Sequence, residues 1–177
     1  EYILNQGGVV VGAELSKNME VRHIVIDEIQ ELHKLCGSKY AQSNTSDIYK
    51  NVKNLLKKGR LVFFTGTPCQ VSALKLFLRK PYENLITADL ICHGVPSPLM
   101  FNMVVEYLEH KYKGKVIDYQ FRSKKMTGWS RVSACTMLIN GKKKRIYYDE
   151  MMRAFFQAFL AGHVLRMDCY QCPFTRT

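Results

Sequence analysis

The 177-residue chain has no run approaching the roughly 18 unbroken apolar residues that a membrane-spanning helix needs. Its most apolar stretches are interrupted, Leu85 to Cys92 by Asp89 and Met151 to Leu165 by Arg153, Gln157 and His163. Acid is scarce: 15 Asp and Glu stand against 26 Lys and Arg, a net charge of +11. A hydrophobic fraction of 47% excludes a disordered or fibrous chain. Internal repeats and low-complexity tracts are absent, and so is the G-x-G-x-x-G fingerprint of ordinary dinucleotide binding. Glu1 stands where a Met would be, with no basic-then-apolar leader behind it, so the chain reads as soluble, cytoplasmic and cut from a longer protein. Residues 1–177 read as a single α/β domain whose C-terminal cysteine segment begins near residue 165.

What is present is an alternation of strand and helix signals. Gly8 to Leu15 and Val21 to Asp27 are Val/Ile-rich runs around the turn Ser16-Lys17-Asn18, which predicts a hairpin. Ile48, Val52, Leu55 and Leu56 share a helical face. Leu61-Val62-Phe63-Phe64 reads as a strand buried on both faces, and it runs into Thr65-Gly66-Thr67-Pro68, where Thr67 suits a helix cap and Pro68 the first helical position. The helix that follows turns Val71, Leu74, Phe77 and Leu78 inward and stops before Pro81; a second strand is expected over Leu85 to Cys92. His93 to Pro98 repeats the cap-then-proline device and opens a helix with Met100, Val104, Tyr107 and Leu108 inward. Strands are expected over Lys115 to Arg122 and Val132 to Ile139. A turn at Asn140-Gly141, a return through Ile146-Tyr147-Tyr148 and a last helix over Met151 to Gly162 complete the pattern. The fold class expected is α/β: a mixed sheet with a parallel strand-helix-strand core and flanking helices.

Six cysteines without a secretion signal argue for reduced thiols serving as ligands or nucleophiles. A strand, crossover helix, strand unit places both strands parallel with their carboxyl ends on one edge, where ligands of open α/β sheets bind. Cys69 follows the first strand by a tight turn, in the first turn of a helix whose dipole favours a thiolate, and Cys92 is read as ending the second strand. Packing as small hydrophobes is the competing account of both. Cys169 and Cys172 form a C-x-x-C pair, which suits a redox dithiol, a zinc knuckle or half of an iron-sulfur site. Cys36 and Cys135 are also available, so spacing alone leaves the choice of four open. Both have packing explanations: Cys36 continues the pattern of Ile29, Leu32 and Leu35, and Cys135 alternates within a strand.

Five strings resemble the beta-subunit family of coenzyme F-420 hydrogenases and dehydrogenases. They are Gly37-Ser38-Lys39-Tyr40-Ala41-Gln42-Ser43, Thr65-Gly66-Thr67-Pro68-Cys69-Gln70, Asp89 to Ser97, Phe121 to Lys125 with Gly128-Trp129, and Cys169 to Phe174. They occur in the family's order over nearly the whole chain. The resemblance implies an iron-sulfur flavoprotein holding a 4Fe-4S cluster on Cys69, Cys92, Cys169 and Cys172 and binding FAD. It also implies flavin-side contacts within the shared strings, at Ser38, Lys39, Tyr40, Gln42, Thr65, Gly66, Thr67, Gln70, His93, Gly94, Arg122 and Lys125. The chain departs from the family in lacking the ferredoxin-like cysteine segment that many members carry and in ending before the usual C-terminal continuation.

Elementary chemistry agrees with parts of this. A pyrophosphate suits helix N-termini and Lys or Arg, and Thr65, Gly66, Thr67 and Gly94 lie ahead of two helices. Lys39 could hold a phosphate and Tyr40 stack on a ring, against a solvated Lys and a core Tyr. Arg122, Lys124 and Lys125 beside Trp129 offer an anion and ring site, and His93 either satisfies a local carbonyl or takes part in catalysis. Lys142-Lys143-Lys144-Arg145 reads as a basic hairpin tip without interleaved aromatics, which favours an acidic electron-transfer partner, other enzyme subunits or a polyanionic coenzyme over nucleic acid. The expected function is electron relay through a cluster to FAD and on to a deazaflavin or other hydride carrier. The alternative is a zinc-stabilised module that docks an acidic protein.

Overall fold

A computed structural model describes residues 1–125, 128 and 132–174. After a short helix α1 (Tyr2–Asn5), strands β1 (Val9–Leu15) and β2 (Val21–Ile26) form the expected antiparallel hairpin, with Ala13 opposite His23. A 3-10 turn at Ile29–Glu31 leads into α2 (Leu32–Leu35), and α3 (Ile48–Lys57) follows. Then come β3 (Val62–Gly66), α4 (Pro68–Leu78) and β4 (Leu85–Asp89), the strand-helix-strand unit, with β3 parallel to both β1 and β4. The sheet order is β2-β1-β3-β4. This is the mixed α/β arrangement with a parallel core that the sequence predicts.

The helices cover the sheet because their apolar residues recur every three or four positions. Ile48, Val52 and Leu56 of α3 and Val71, Leu74 and Leu78 of α4 bury against Val9, Val11, Val62 and Phe64, while Ile3 and Leu4 of α1 meet Val10 and Ile26 on the opposite face. Phe77, expected inward, lies at the flank of α4, 42% exposed, with the Lys53 ammonium 5.2 Å from its ring centre. β4 stops at Asp89 and leaves Leu90 to Cys92 outside the ladder. The reason is its partner: β3 turns at Gly66 into α4, and the Leu90 N–H to Gly66 carbonyl bond is the last available.

The rest of the chain builds a second sheet. Helix α5 (Pro98–Tyr112) leads to β5 (Lys115–Gln120), β6 (Ala134–Ile139) and β7 (Lys142–Tyr147), all antiparallel, then to α6 (Glu150–Leu160) and α7 (Met167–Tyr170). Phe101, Val104 and Leu108 of α5 and Met152 and Phe155 of α6 pack on Tyr119, Phe121 and Met137, in a core that also takes in Met19, Val21 and Ala41. The fully buried Asp149 side chain staples α5 to α6, accepting from Lys111 Nζ at 3.0 Å, Tyr112 Oη at 2.9 Å and the Met151 N–H at 2.9 Å. Burial alone would raise its pKa, but these donors outweigh burial and hold it below the ordinary value.

The basic run Lys142 to Arg145 is not a hairpin tip. Asn140 and Gly141, with φ of 48° and 74°, make the tight turn by themselves, so Lys142 already pairs with Ile139 and the run lies along the edge strand β7. Cys36 is likewise not packed: it follows α2 exposed, its thiol 3.4 Å from the Leu32 carbonyl.

Replacing Leu74, which is fully buried, with Ala is expected to cost about 2–5 kcal/mol in a urea-unfolding measurement, whereas Leu76→Ala on the exposed face of the same helix should stay within about 0.5 kcal/mol of wild type.

Candidate functional site

At the carboxyl edge of the first sheet the chain makes three approaches. The first is the turn after β3. Gln70, in the first turn of α4, accepts the Thr67 N–H on Oε1 at 3.0 Å, and Cys69 Sγ lies 3.1 Å from Thr67 Oγ1. The second is the loop after β4, where the Gly94 N–H points at Cys92 Sγ at 3.3 Å. The third is the return from α6: Leu165 bridges antiparallel to Pro96, and the Arg166 N–H donates to the Val95 carbonyl at 3.0 Å. Gly94 permits this return, because a Cβ there would meet Leu165 Cδ1 at 2.7 Å and its φ is +115°.

These pairings bring the cysteines together. Cys69, Cys92, Cys169 and Cys172 line one small cavity of about 40 Å³, closed by Thr67, Pro68, Gly94, Val95 and Phe174. Among the described residues no three Cys, His, Asp or Glu side chains stand at a common ion position. Burial raises the Cys92 thiol pKa, the Gly94 N–H opposes that, and the three neighbouring cysteines raise it further. Mutual repulsion between thiolates is what a bound cation relieves, and four sulfurs are the donor set of a tetrahedral zinc or an iron-sulfur cluster. In donor chemistry the residues present therefore fit either group. Cys36 and Cys135 lie elsewhere. Cys135 is buried in β6, its thiol pKa pushed up to about 12 chiefly by burial.

A larger cavity of about 290 Å³ opens beside the cysteines and shares Cys69, Cys169 and Cys172 with the small one. Gln42, Thr65, Gly66, Thr67 and Gln70 line it, with Lys39. So does His23, which sequence reasoning missed. Its Nε2 lies 3.0 Å from the Thr65 carbonyl oxygen, its Nδ1 lies 2.8 Å from Ser43 Oγ, and its ring stacks on Phe64. The available signal was its register: with Val21 and Val25 it alternates on one face of β2, so a polar ring was due at a buried position.

The other expected contacts divide. Ser38, Arg122 and Lys125 line a separate groove of about 680 Å³ that meets the cavity at Lys39. Lys39 Nζ donates to the Lys34 and Cys36 carbonyls at 3.3 and 2.9 Å, and burial lowers its pKa. Tyr40 turns its ring into the core, stacked on Phe159 at 4.6 Å, and lines neither space. His93 Nε2 meets the Phe159 carbonyl at 3.1 Å, the local role weighed against catalysis. Trp129 lies outside the described residues.

Residues 59–177, more than half of the chain, match the family described as the C terminus of the coenzyme F420 hydrogenase/dehydrogenase beta subunit. The chain belongs to this family. No curated protein matches the chain. The F420 hydrogenase/dehydrogenase match takes in every cysteine that lines the small cavity, while the Gly37 to Ser43 string lies ahead of it. Beta subunits of oxidoreductases imply other enzyme subunits as partners. No helix among the described residues is long and apolar enough to cross a membrane.

Burial lowers the His23 pKa below the ordinary imidazole value of about 6.5, partly offset by its bond to Thr65. A ring harder to protonate folded than unfolded gives stability that is full above about pH 6.5 and declines as pH falls below it, where the unfolded chain binds the extra proton. Urea midpoints should therefore fall from about pH 7 to about pH 5.5 in wild type and fall less steeply in His23→Gln.

Proposed function

We propose that this domain is the electron-relaying part of a beta subunit of the F420 hydrogenase/dehydrogenase type. In it, Cys69, Cys92, Cys169 and Cys172 would hold a 4Fe-4S cluster, and the adjoining cavity, with the groove beyond Lys39, would receive FAD. The observation that carries the reading is that four cysteines from three distant stretches of chain line one cavity at a parallel sheet's carboxyl edge. When bound, the cluster would supply one-electron transfer and the flavin hydride chemistry with a deazaflavin or other hydride carrier.

The chain's own groups have definable parts. The four sulfurs supply charge and softness for iron, and the Gly94 N–H donates to Cys92. Thr65, Gly66 and Thr67 line the approach of a flavin, and Lys39, Arg122 and Lys125 offer cationic charge to its pyrophosphate. The domain belongs, on this reading, to a cytoplasmic enzyme, with residues 1–177 as one α/β unit of a longer polypeptide. One observation favours the second reading, a zinc-stabilised docking module: about 40 Å³ takes a single ion with less rearrangement than a cluster.

Anaerobic reconstitution with iron and sulfide, followed by absorption spectroscopy and metal analysis, separates the two. A coloured protein carrying iron and sulfide is expected from wild type, Cys36→Ser and Cys135→Ala. A colourless one is expected from Ser variants at Cys69, Cys92, Cys169 or Cys172. Stoichiometric zinc with no bound iron would establish the zinc module instead.

The exposed lysines along the edge strand β7 support docking of an acidic electron-transfer partner. Lys142, Lys143 and Lys144 are exposed, while Arg145 is engaged by Asp118 at 3.4 Å and Thr136 at 3.0 Å. Raising salt from 0.1 to 1 M shortens the Debye length from about 10 to about 3 Å, so association should slow with ionic strength in wild type. Neutralising the three lysines should flatten that dependence, measured as turnover at subsaturating partner; an unchanged salt profile would remove β7 from the docking surface.

A further inference from the structure

Four hydrogen bonds at the wall of the large cavity form a closed circuit. His23 Nε2 meets the Thr65 carbonyl at 3.0 Å, Ser43 Oγ meets His23 Nδ1 at 2.8 Å, Gln70 Nε2 donates to Ser43 Oγ at 2.8 Å, and the Thr67 N–H donates to Gln70 Oε1 at 3.0 Å. Its ends are two residues apart on the turn that leads into Cys69. Both ends have fixed polarity, since a carbonyl only accepts and a backbone N–H only donates. Gln70 Oε1 is therefore the acceptor, its amide nitrogen faces Ser43, the single Ser43 hydroxyl hydrogen goes to His23 Nδ1, and His23 carries its proton on Nε2. One arrangement of hydrogens satisfies every group.

We propose that His23 is a positioning residue for the Cys69 turn, acting through Ser43 and Gln70 as a neutral ring with its proton on Nε2. The circuit is tight: a Cβ on Gly66, which it encircles, would meet Gln70 Oε1 at 3.1 Å and Phe64 Cε1 at 3.2 Å. It is also buried, with His23 and Ser43 each 8% exposed, where a half-satisfied network is costly. Its reach extends past one cysteine. The Gln42 N–H, next to Ser43, donates to the Pro96 carbonyl at 3.1 Å, and Pro96 is the residue that bridges Leu165. His23 thus ties the Cys69 turn to the strip that also holds the Cys92 loop and the Cys169–Cys172 return. The bearing of this on redox chemistry rests on the function proposed above; the circuit itself does not.

The polarity of the circuit gives a test that needs no metal or flavin. An ionised carboxylate at position 70 accepts only, so in Gln70→Glu the Ser43 hydroxyl turns to it, Ser43 Oγ is left as an acceptor for His23 Nδ1, and the imidazolium is favoured. The other charged side chains on this cavity wall are Lys39, Arg166 and Asp168, unaltered by the substitution. Imidazole ¹⁵N chemical shifts of the full chain at neutral pH should show the Nε2–H tautomer in wild type. In Gln70→Glu they should show imidazolium persisting, with a proton affinity raised roughly tenfold or more. A wild-type Nδ1–H tautomer, or a His23 indifferent to Gln70→Glu at a pH where the ¹³C shift of the introduced carboxyl shows it ionised, would overturn the circuit.

The positioning part is read by alkylation of the reduced, metal-free protein. Cys69 is exposed, so its rate reads the geometry of the turn around its thiol: Ser43→Ala should change Cys69 modification by about threefold or more while leaving Cys135, buried in β6 of the second sheet, unreactive. Equal Cys69 rates in wild type and Ser43→Ala would overturn it. Should Gln70→Glu fail to fold, the wild-type tautomer and the Ser43→Ala rates decide alone. Loss of the iron-sulfur reading would leave all these outcomes standing, and their failure would leave that reading standing.

Discussion

Pro96 is the point on which the site depends. Lacking an N–H, it contributes a carbonyl to Gln42 and stands in an isolated bridge to Leu165, so one residue joins the strip after α2, the loop after β4 and the return after α6. Each strand holds its neighbours through many ladder bonds, but these three irregular stretches meet through a few. The positions of four cysteines follow from those few. Gly94 belongs to the same constraint: only a residue without Cβ leaves room for Leu165 and tolerates the backbone turn beside Cys92.

Local physics made most of the first sheet legible. The apolar run before Thr65, the cap and Pro68 fix where β3 ends and α4 begins, and the spacing of Val71, Leu74 and Leu78 fixes which face is buried. What sequence could not carry was where a strand loses its partner. Leu90 to Cys92 is as apolar as the residues before it, and only the departure of β3 into α4 ends its pairing. The basic run was misplaced for a similar reason: a two-residue turn at Asn140-Gly141 uses none of the lysines. Tyr40 sits within a motif, yet its ring is spent on Phe159, because a motif names a backbone strip and not the direction of each side chain.

The candidate site was legible by resemblance in its cysteines and only partly in its other contacts. The strings around Cys69, Cys92 and Cys169 marked stretches that meet at the small cavity, while the pairing that joins them joins residues far apart in sequence and has no local signal. His23 had a weak one, a polar residue in an inward register, but its partners Ser43 and Thr65 come from two other elements. The lysines of β7 have a role in the fold by themselves. A row of charge along an edge strand discourages another chain from adding to the open ladder.

The long route of the chain also orders events in time. Between Cys92 and Cys169 lie α5, β5 to β7 and α6, so the Pro96–Leu165 bridge closes a long stretch of chain. Contacts of such high sequence separation carry the largest closure entropy and form late. A chain emerging from synthesis thus presents Cys69 and Cys92 well before the C-x-x-C pair arrives beside them. The set of four thiols is complete only once the C-terminal stretch has docked beside Pro96.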